Sequence, residues 1–166
     1  MTIFDKSSYC KIIIMIPISL KHQLLNMCFD LLNQRAENAR KAMNEAQQAA
    51  NSEEKSTAGD KYDTSRAMSQ NIRDMNAKQL QEALKDLAVL QQINPDLKLK
   101  EIKPGSVIKT NSGNYFISIS AGKLDISNET YFAVSVTSPV GQAMLNKKAG
   151  DSFAFRDQSI KILEVL

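Results

Sequence analysis

The chain contains no tryptophan, and aromatic residues make up only 6% of its 166 residues. Hydrophobic residues together reach 43%, which is enough to build a core. A composition this lean in aromatics suits long alanine-bearing helices better than one large globule. A chain of this length fits one compact domain or two small ones.

Cysteine and histidine are also scarce. The two cysteines, Cys10 and Cys28, lie in no CxxC pair or Cys/His cluster, which argues against a disulfide framework or a zinc site. His22 is the only histidine, and the run Lys21-His22-Gln23 is typical of the solvated first turn of a helix. A His-based triad or a His-rich metal site is therefore not expected, and a reducing cytosol is the simplest compartment.

No hydrophobic run is long enough to cross a membrane. The longest, Ile12–Ile18, is far shorter than the ~20 residues that a span requires, and Pro17 interrupts it. No small-residue cleavage site follows it, so a secretory signal is not expected. We interpret residues 1–15 as a disordered or misannotated extension; a true start at Met15 would make residues 1–14 the misannotated part.

A long helix is predicted from the residues after Ser19, because no Gly or Pro lies between Leu20 and Ala50. Apolar positions recur there at alternating spacings of three and four, which is a heptad seam with Arg35 as its one violation. The seam positions are Leu25, Cys28, Leu32, Arg35, Ala39, Ala42, Ala46 and Ala49.

A second helix is predicted from about residue 60 to residue 93, where Asn94-Pro95 ends it. Its apolar positions are Met68, Ile72, Met75, Leu80, Ala83 or Leu84, Leu87 and Leu90. Two arms of about 30 residues, rising ~1.5 Å per residue and joined by a short turn, must run antiparallel over roughly 45 Å. Residues 16–94 are thus predicted to form a coiled-coil hairpin with its tip at residues 51–63.

The tip is acidic although the whole chain carries a net charge of +3. Between residues 51 and 63 there are four carboxylates against two lysines, a local net charge of −2: Glu53, Glu54, Asp60 and Asp63 against Lys55 and Lys61. One interpretation is structural, with Asp60 as the N-cap and Asp63 as the N3 acid of the second helix. The other is functional, because carboxylates three residues apart offer hard oxygen ligands to Mg²⁺.

After Pro95 the hydrophobic period changes from 3.6 to 2, which predicts a small, largely antiparallel sheet. The strand segments are "GSVIKT", "NYFISIS", "YFAVSVT" and "IKILEVL". Ser138 is suited to cap a short helix that begins at Pro139 and continues to about Lys147. Because residues 95–166 are few for an independent core, we expect this domain to dock against the base of the hairpin.

The acidic-tipped hairpin followed by a β domain containing "SPVGQAMLNKKAGD" resembles the GreA/GreB transcript-cleavage factor family. The segment matches that family's Ser-Pro-Val-Gly motif and its closing Gly-Asp. The tip reads Gly59-Asp60-Lys61-Tyr62-Asp63, with aspartate where the family carries glutamate in Gly-Asp-x-x-Glu. The resemblance covers about residues 16–166 and departs from the family after the tip acids.

The resemblance implies an α+β protein whose C-terminal domain is FKBP-like, and a cytoplasmic, bacterial transcription elongation factor. Such a factor is not itself an enzyme: its hairpin enters the secondary channel of RNA polymerase, near RNA and DNA. There Asp60 and Asp63, with Glu53 and Glu54 as further candidates, would help to hold the polymerase's Mg²⁺. The implied polymerase-binding residues are Ser138, Pro139, Val140, Gly141, Lys147, Lys148 and Asp151. A monomer with no cofactor of its own and no membrane contact is expected.

Two other interpretations remain open. A non-cleaving relative would occupy the same channel and regulate transcription, and the departures at the tip leave that possibility standing. An FKBP-like prolyl isomerase or a coiled-coil adaptor would have no polymerase role. An isomerase needs an aromatic-lined pocket, whereas the aromatic residues alternate along the predicted strands in a way that suits core packing.

Overall fold

The computed structural model describes the backbone of residues 19–53 and 60–166 and the side chains of residues 19–52 and 64–166. Two long helices, α1 (Leu20–Glu53) and α2 (Asp60–Gln91), pack against each other as an antiparallel pair. Their 34 and 32 residues correspond to about 50 Å each at 1.5 Å per residue. The predicted extension at residues 1–15 lies outside the described residues.

The helix boundaries follow from local chemistry. Ser19 lies just before α1, and its Oγ accepts a hydrogen bond from the His22 backbone N–H at 3.4 Å. Beyond the end of α2, Asn94 Oδ1 accepts from the Asp96 N–H at 3.0 Å and turns the chain at Pro95. Helix α2 begins at Asp60, so Asp60 and Asp63 both fall within its first turn.

The seam of α1 differs from the heptad prediction in its distal half. Leu25, Cys28 and Leu32 are buried as predicted, but Arg35 is exposed and Ala36 takes its place in the interface. Ala50 is buried near the far end while Ala49 is exposed. A straight helix has 3.6 residues per turn, so a strict 3.5-residue pattern drifts off the buried side within a few turns.

The predicted seam of α2 is wrong in its first half. The side chains of Met68, Ile72 and Met75 are 65%, 38% and 55% exposed. Asn76 is buried in the interface instead, with its Nδ2 donating to the Ile72 carbonyl oxygen at 2.8 Å. Only Ala83 and Leu90 of the predicted positions are fully buried, so the distal half of the hairpin is held by small and polar contacts.

Six strands form one sheet, in the spatial order β3-β4-β2-β1-β6-β5. Their bounds are β1 (Val107–Thr110), β2 (Asn114–Ser118), β3 (Gly122–Ile126), β4 (Glu129–Ser135), β5 (Ser152–Phe155) and β6 (Gln158–Val165). Strands β2 and β4 pair in parallel and the other neighbours are antiparallel. The α+β fold of a helical hairpin followed by a largely antiparallel β domain is therefore confirmed.

Strands β3 and β5 are not among the four predicted strand segments, and their hairpin turns carry no glycine. The β3–β4 turn is Ser127-Asn128, and the β5–β6 turn is Arg156-Asp157. All four residues have positive φ, between 50° and 67°, as a two-residue type I′ hairpin requires. Glycine is the strongest sequence marker of such turns, and neither Ser127-Asn128 nor Arg156-Asp157 contains it.

The two faces of the sheet build two cores. On one face, sheet residues such as Val107, Phe116 and Tyr131 pack with Leu24 and Leu90 from the base of the hairpin. On the other face, Ile108, Ile117, Ile162 and Phe153 surround Met144 of a short helix, α3 (Pro139–Met144). Because the hairpin base completes the first core, the sheet and the hairpin are joined by burial and not only by a linker.

Candidate functional site

The helix ends that carry the acidic residues lie far from the sheet. Leu32 is the last residue of α1 in the core shared with the sheet, and Glu53 is the last residue of α1. Glu53 is 21 positions beyond Leu32, which corresponds to about 30 Å of helix. Asp60 and Asp63 lie in the first turn of α2, where the helix dipole favours negative charge. The side chains of all three, and the whole of Glu54, lie outside the described part of the chain.

A side-chain hydrogen bond links the two helices in the distal half of the hairpin. Arg73 Nη1 donates to Gln47 Oε1 at 3.1 Å, and the same guanidinium contacts Asp74 Oδ1 at 2.7 Å. Alanines at positions such as 46 and 50 fill the space between the helices. The distal hairpin thus depends on close backbone approach and polar pairing more than on bulky apolar contacts.

The Ser-Pro-Val-Gly motif forms the tight turn from β4 into α3. Ser138 caps the helix: its Oγ accepts from the Gly141 N–H at 3.1 Å and donates to the Ser135 carbonyl oxygen at 2.7 Å. Pro139 occupies the first turn, as predicted. A Cβ at Gly141 would lie 2.1 Å from the Ser135 oxygen, so no other residue fits this turn without a shift. Helix α3 ends at Met144, about one turn earlier than predicted.

The Gly-Asp end of the segment forms a second tight turn. Asp151 Oδ2 accepts from the Lys148 N–H at 2.8 Å, and the Asp151 N–H donates to the Lys148 carbonyl oxygen at 3.1 Å. Gly150 has φ +95°, a conformation that favours glycine. The capped helix predicted for this segment is confirmed, and a turn with Gly150 at positive φ follows it.

These turns decide which motif side chains remain available to a partner. Pro139, Lys148 and Asp151 are exposed, and Val140 and Lys147 are half-buried. Gly141 is buried, and the Ser138 hydroxyl is engaged at both of its hydrogen-bonding functions. Gly141 and the Ser138 hydroxyl therefore serve the turn, whereas Pro139, Lys148 and Asp151 are the predicted binding residues that are exposed to a partner.

Lys21 is a residue whose role the sequence does not reveal. It was predicted to be solvated, but it is only 8% exposed and its Nζ donates to the Leu97 carbonyl oxygen at 2.6 Å. Burial lowers the pKa of this ammonium group. The contact ties the start of α1 to the chain that leaves α2, and so fixes the hairpin base relative to the linker.

A second unpredicted polar cluster surrounds Tyr131, which is 1% exposed. Its hydroxyl donates to a Glu129 carboxylate oxygen, which Lys109 Nζ also approaches at 3.3 Å. Burial, together with the hydrogen bond to Glu129, raises the pKa of Tyr131 to about 12. The same tyrosine hydrogen bond and Lys109 lower the pKa of Glu129. The cluster stabilises the paired β1, β2 and β4 strands.

The described residues contain neither a cluster of metal ligands nor a helix suited to cross a membrane. Among their side chains, no group of three or more His, Cys, Asp or Glu residues is placed to hold a metal ion. None of the helices within residues 19–53 and 60–166 has the length and apolarity that a membrane crossing requires. Cys28 is buried, and its Sγ lies 3.9 Å from Ser118 Oγ.

Comparison with known proteins leaves the chain without an assigned family. No protein-family profile matches it, and a search of curated proteins finds no significant similarity. The likeness to the GreA/GreB family therefore rests on the tip and the Ser138–Asp151 segment quoted above.

Proposed function

We propose that this protein binds in the secondary channel of a bacterial RNA polymerase and supports cleavage of backtracked RNA. The observation that carries the proposal is the position of Asp60 and Asp63 in the first turn of α2, about 30 Å of helix beyond the core shared with the sheet. A slender hairpin of this length fits a narrow channel that a globular domain cannot enter. The proposal implies a cytoplasmic protein that is not itself an enzyme.

The chemistry assigned to the tip is assistance to a metal ion held by the polymerase. Hydrolysis of a phosphodiester by a two-metal site requires a second Mg²⁺ near the attacking water. Mg²⁺ prefers hard oxygen ligands and is often held by only one or two carboxylates. In this proposal Asp60 and Asp63 supply such ligands in trans, with Glu53 and Glu54 as the remaining acidic candidates.

The β domain is assigned to polymerase binding. Its exposed motif residues Pro139, Lys148 and Asp151 are held by two tight turns and therefore need little ordering when they bind. The core shared with the hairpin base fixes the direction in which the tip points. Because the β domain supplies binding and the tip supplies metal ligands, tip substitutions should change RNA cleavage and leave the affinity for polymerase nearly unaffected.

The test is a backtracked elongation complex incubated with the full chain, with polymerase retention and RNA shortening measured together. Asp60→Asn and Asp63→Asn should each strongly reduce cleavage, because Asn removes the charge while remaining tolerated at a helix start. Glu45→Gln is the matched control, since Glu45 is an exposed acid on the hairpin shaft. Retention should be nearly the same for all of these variants.

Three results would contradict parts of this assignment. Full cleavage by both Asn variants would mean that the two aspartates serve only the helix start. Loss of cleavage in Glu53→Gln and Glu54→Gln alone would move the metal ligands to the preceding residues. Slower RNA synthesis without cleavage by the parent protein would favour the non-cleaving regulator.

A further inference from the structure

The linker between α2 and β1 lies alongside the loop that follows α3. The Ile102 N–H donates to the Lys147 carbonyl oxygen at 2.9 Å, and the Asn146 N–H donates to the Ile102 carbonyl oxygen at 2.9 Å. This backbone pairing brings together two segments that are more than forty positions apart in the chain. Both segments are rich in lysine.

The pairing creates a basic cluster on the surface, named here the lysine cluster. Its members are Lys98, Lys100, Lys103, Lys147 and Lys148. Glu101 lies among them, with its carboxylate 3.2 Å from Lys148 Nζ and 3.9 Å from Lys103 Nζ. Counting Glu101 and the neighbouring Asp151 against the five lysines leaves a local excess of three positive charges. An acidic partner is attracted to such an excess.

An apolar cavity of about 450 Å³ adjoins the lysine cluster. Leu20, Pro95, Leu99, Val165 and Leu166 supply its apolar wall. Lys98 and Leu99 line both this cavity and a shallower groove that contains Lys100, Glu101 and Lys103. Positive charge and apolar surface are therefore continuous. Asp96 is on the cavity wall, and its carboxylate faces His22 at 3.6 Å.

The lining favours a protein segment over nucleic acid. Surfaces that bind single-stranded nucleic acid combine positive charge with aromatic side chains on which bases stack. Among the described residues, those that line these two depressions include no aromatic side chain. Aliphatic side chains beside lysines instead complement a peptide that places leucine-like residues next to carboxylates.

We propose that the lysine cluster and the adjoining apolar cavity bind a protein segment that carries acidic residues next to large aliphatic ones. The proposal extends the binding surface from the Ser138–Asp151 segment to the linker. It rests on the proposed function only for the identity of the partner, RNA polymerase. The chemistry of the surface stands independently of that identity.

The first experiment uses a labelled 15-residue peptide in which leucine recurs every three to four residues with glutamate between. Fluorescence anisotropy with the full chain should show binding that weakens as salt is raised, because exposed charge pairs are screened. Replacing every glutamate by glutamine, or every leucine by serine, should weaken binding about tenfold or more.

The protein variants separate charge from apolar contact. The triple variant Lys100→Gln, Lys103→Gln and Lys147→Gln should weaken peptide binding about tenfold, as expected for three modest ion pairs. The matched control is Lys41→Gln, Lys78→Gln and Lys85→Gln, which removes the same charge from the exposed hairpin shaft and should change binding less than about twofold. Leu166→Ser tests the cavity without removing the backbone pairing of Leu166 with Val107.

Other occupants give distinct results that overturn the proposal. The apolar residues 12–18 precede Ser19, which itself lines the cavity. If the parent does not bind the peptide but the full-chain variant Ile16→Ser, Ile18→Ser does, this chain's own segment is the occupant. If a 20-nucleotide RNA binds through the same three lysines and the peptide does not, the surface is a nucleic-acid site. Equal peptide binding by the parent and the triple variant also overturns the proposal.

Retention on immobilised polymerase separates this inference from the proposed function. Reduced retention of the triple variant and normal retention of Asp60→Asn would support both. Peptide binding without polymerase retention would refute the proposed function and leave the peptide-binding surface in place. Polymerase retention that is identical for the parent and the triple variant would refute RNA polymerase as the partner of this surface and leave the proposed function in place.

Discussion

Gly141→Ala tests how tightly the turn before α3 is packed. A Cβ at this position would lie 2.1 Å from the Ser135 carbonyl oxygen and 2.9 Å from the Ser138 Oγ. The Ser135 oxygen is not free to move, because it accepts from both the Ser138 N–H and the Ser138 hydroxyl. Ser135 also pairs with Ser118 across the sheet. Relief of the clash therefore requires α3 to move away from the end of β4.

The expected cost combines two effects. Forcing an extra methyl group into a packed site costs about 1–3 kcal/mol, and loss of the Ser138 cap costs about 1 kcal/mol more. The sum is a loss of about 3 kcal/mol in the free energy of unfolding. For a chain of this size that corresponds to a fall in Tm of roughly 6–12 °C.

Urea and thermal unfolding followed by circular dichroism measure this loss. Gly122→Ala is the control, because Gly122 has φ +85° but a Cβ there would meet nothing within 4 Å. Its cost is backbone strain alone, about 1–2 kcal/mol. Ser138→Ala isolates the cap, at about 1 kcal/mol. If Gly141→Ala costs no more than Gly122→Ala, the reasoning from the close approach to Ser135 is refuted.

Three further predictions follow from burial and charge. Leu32→Ala should lower the free energy of unfolding by about 3 kcal/mol, because Leu32 is only 1% exposed. Met75→Ala should lower it by less than about 0.5 kcal/mol, because Met75 is 55% exposed. Equal losses for the two variants in urea unfolding would contradict the exposure of Met75. The folded pKa of Tyr131 is about 12, above its ordinary value, so the folded state keeps a proton that the unfolded state releases. The stability advantage of the parent over Tyr131→Phe should therefore decline as pH rises from about 10 to about 12 in unfolding measurements, and an advantage constant over that window would refute this. Burial raises the pKa of the Cys28 thiol, so native protein carrying Cys10→Ser should react slowly with a thiol reagent and fully in urea, whereas rapid native labelling would place Cys28 at the surface.

The sequence by itself determined the elements whose causes are local. The two long helices follow from an uninterrupted run of helix-forming residues, and Asn94-Pro95 ends the second of them. Ser138 and Pro139 predict the start of α3 because a cap and a first-turn proline act within one helical turn. The alternation of apolar residues predicts a sheet, since neighbouring side chains on a strand face opposite sides.

Only the tertiary structure decided which helix surfaces are buried. The apolar series Met68, Ile72 and Met75 satisfies a helical period but faces solvent, while Asn76 and Ala83 face α1. A two-helix hairpin buries one narrow stripe of each helix. The alanines of α1 and the mixed residues of α2 do not distinguish that stripe from its neighbours. Packing against the sheet fixes which side of each helix is buried at the base of the hairpin. The buried residues farther along each helix then follow from the helical geometry.

The two candidate sites also differ in how much of each can be recognised from the sequence alone. The acidic residues at Asp60 and Asp63 are visible in the sequence because charge of one sign is clustered where the helical pattern breaks. The lysine cluster is not visible there, because its two halves lie in segments more than forty positions apart. They meet only when Ile102 pairs with Lys147, and the adjoining cavity forms only where the start of α1, the linker and the chain end come together. Local patterns predict local structure, whereas a surface built from distant segments exists only after the backbone has folded.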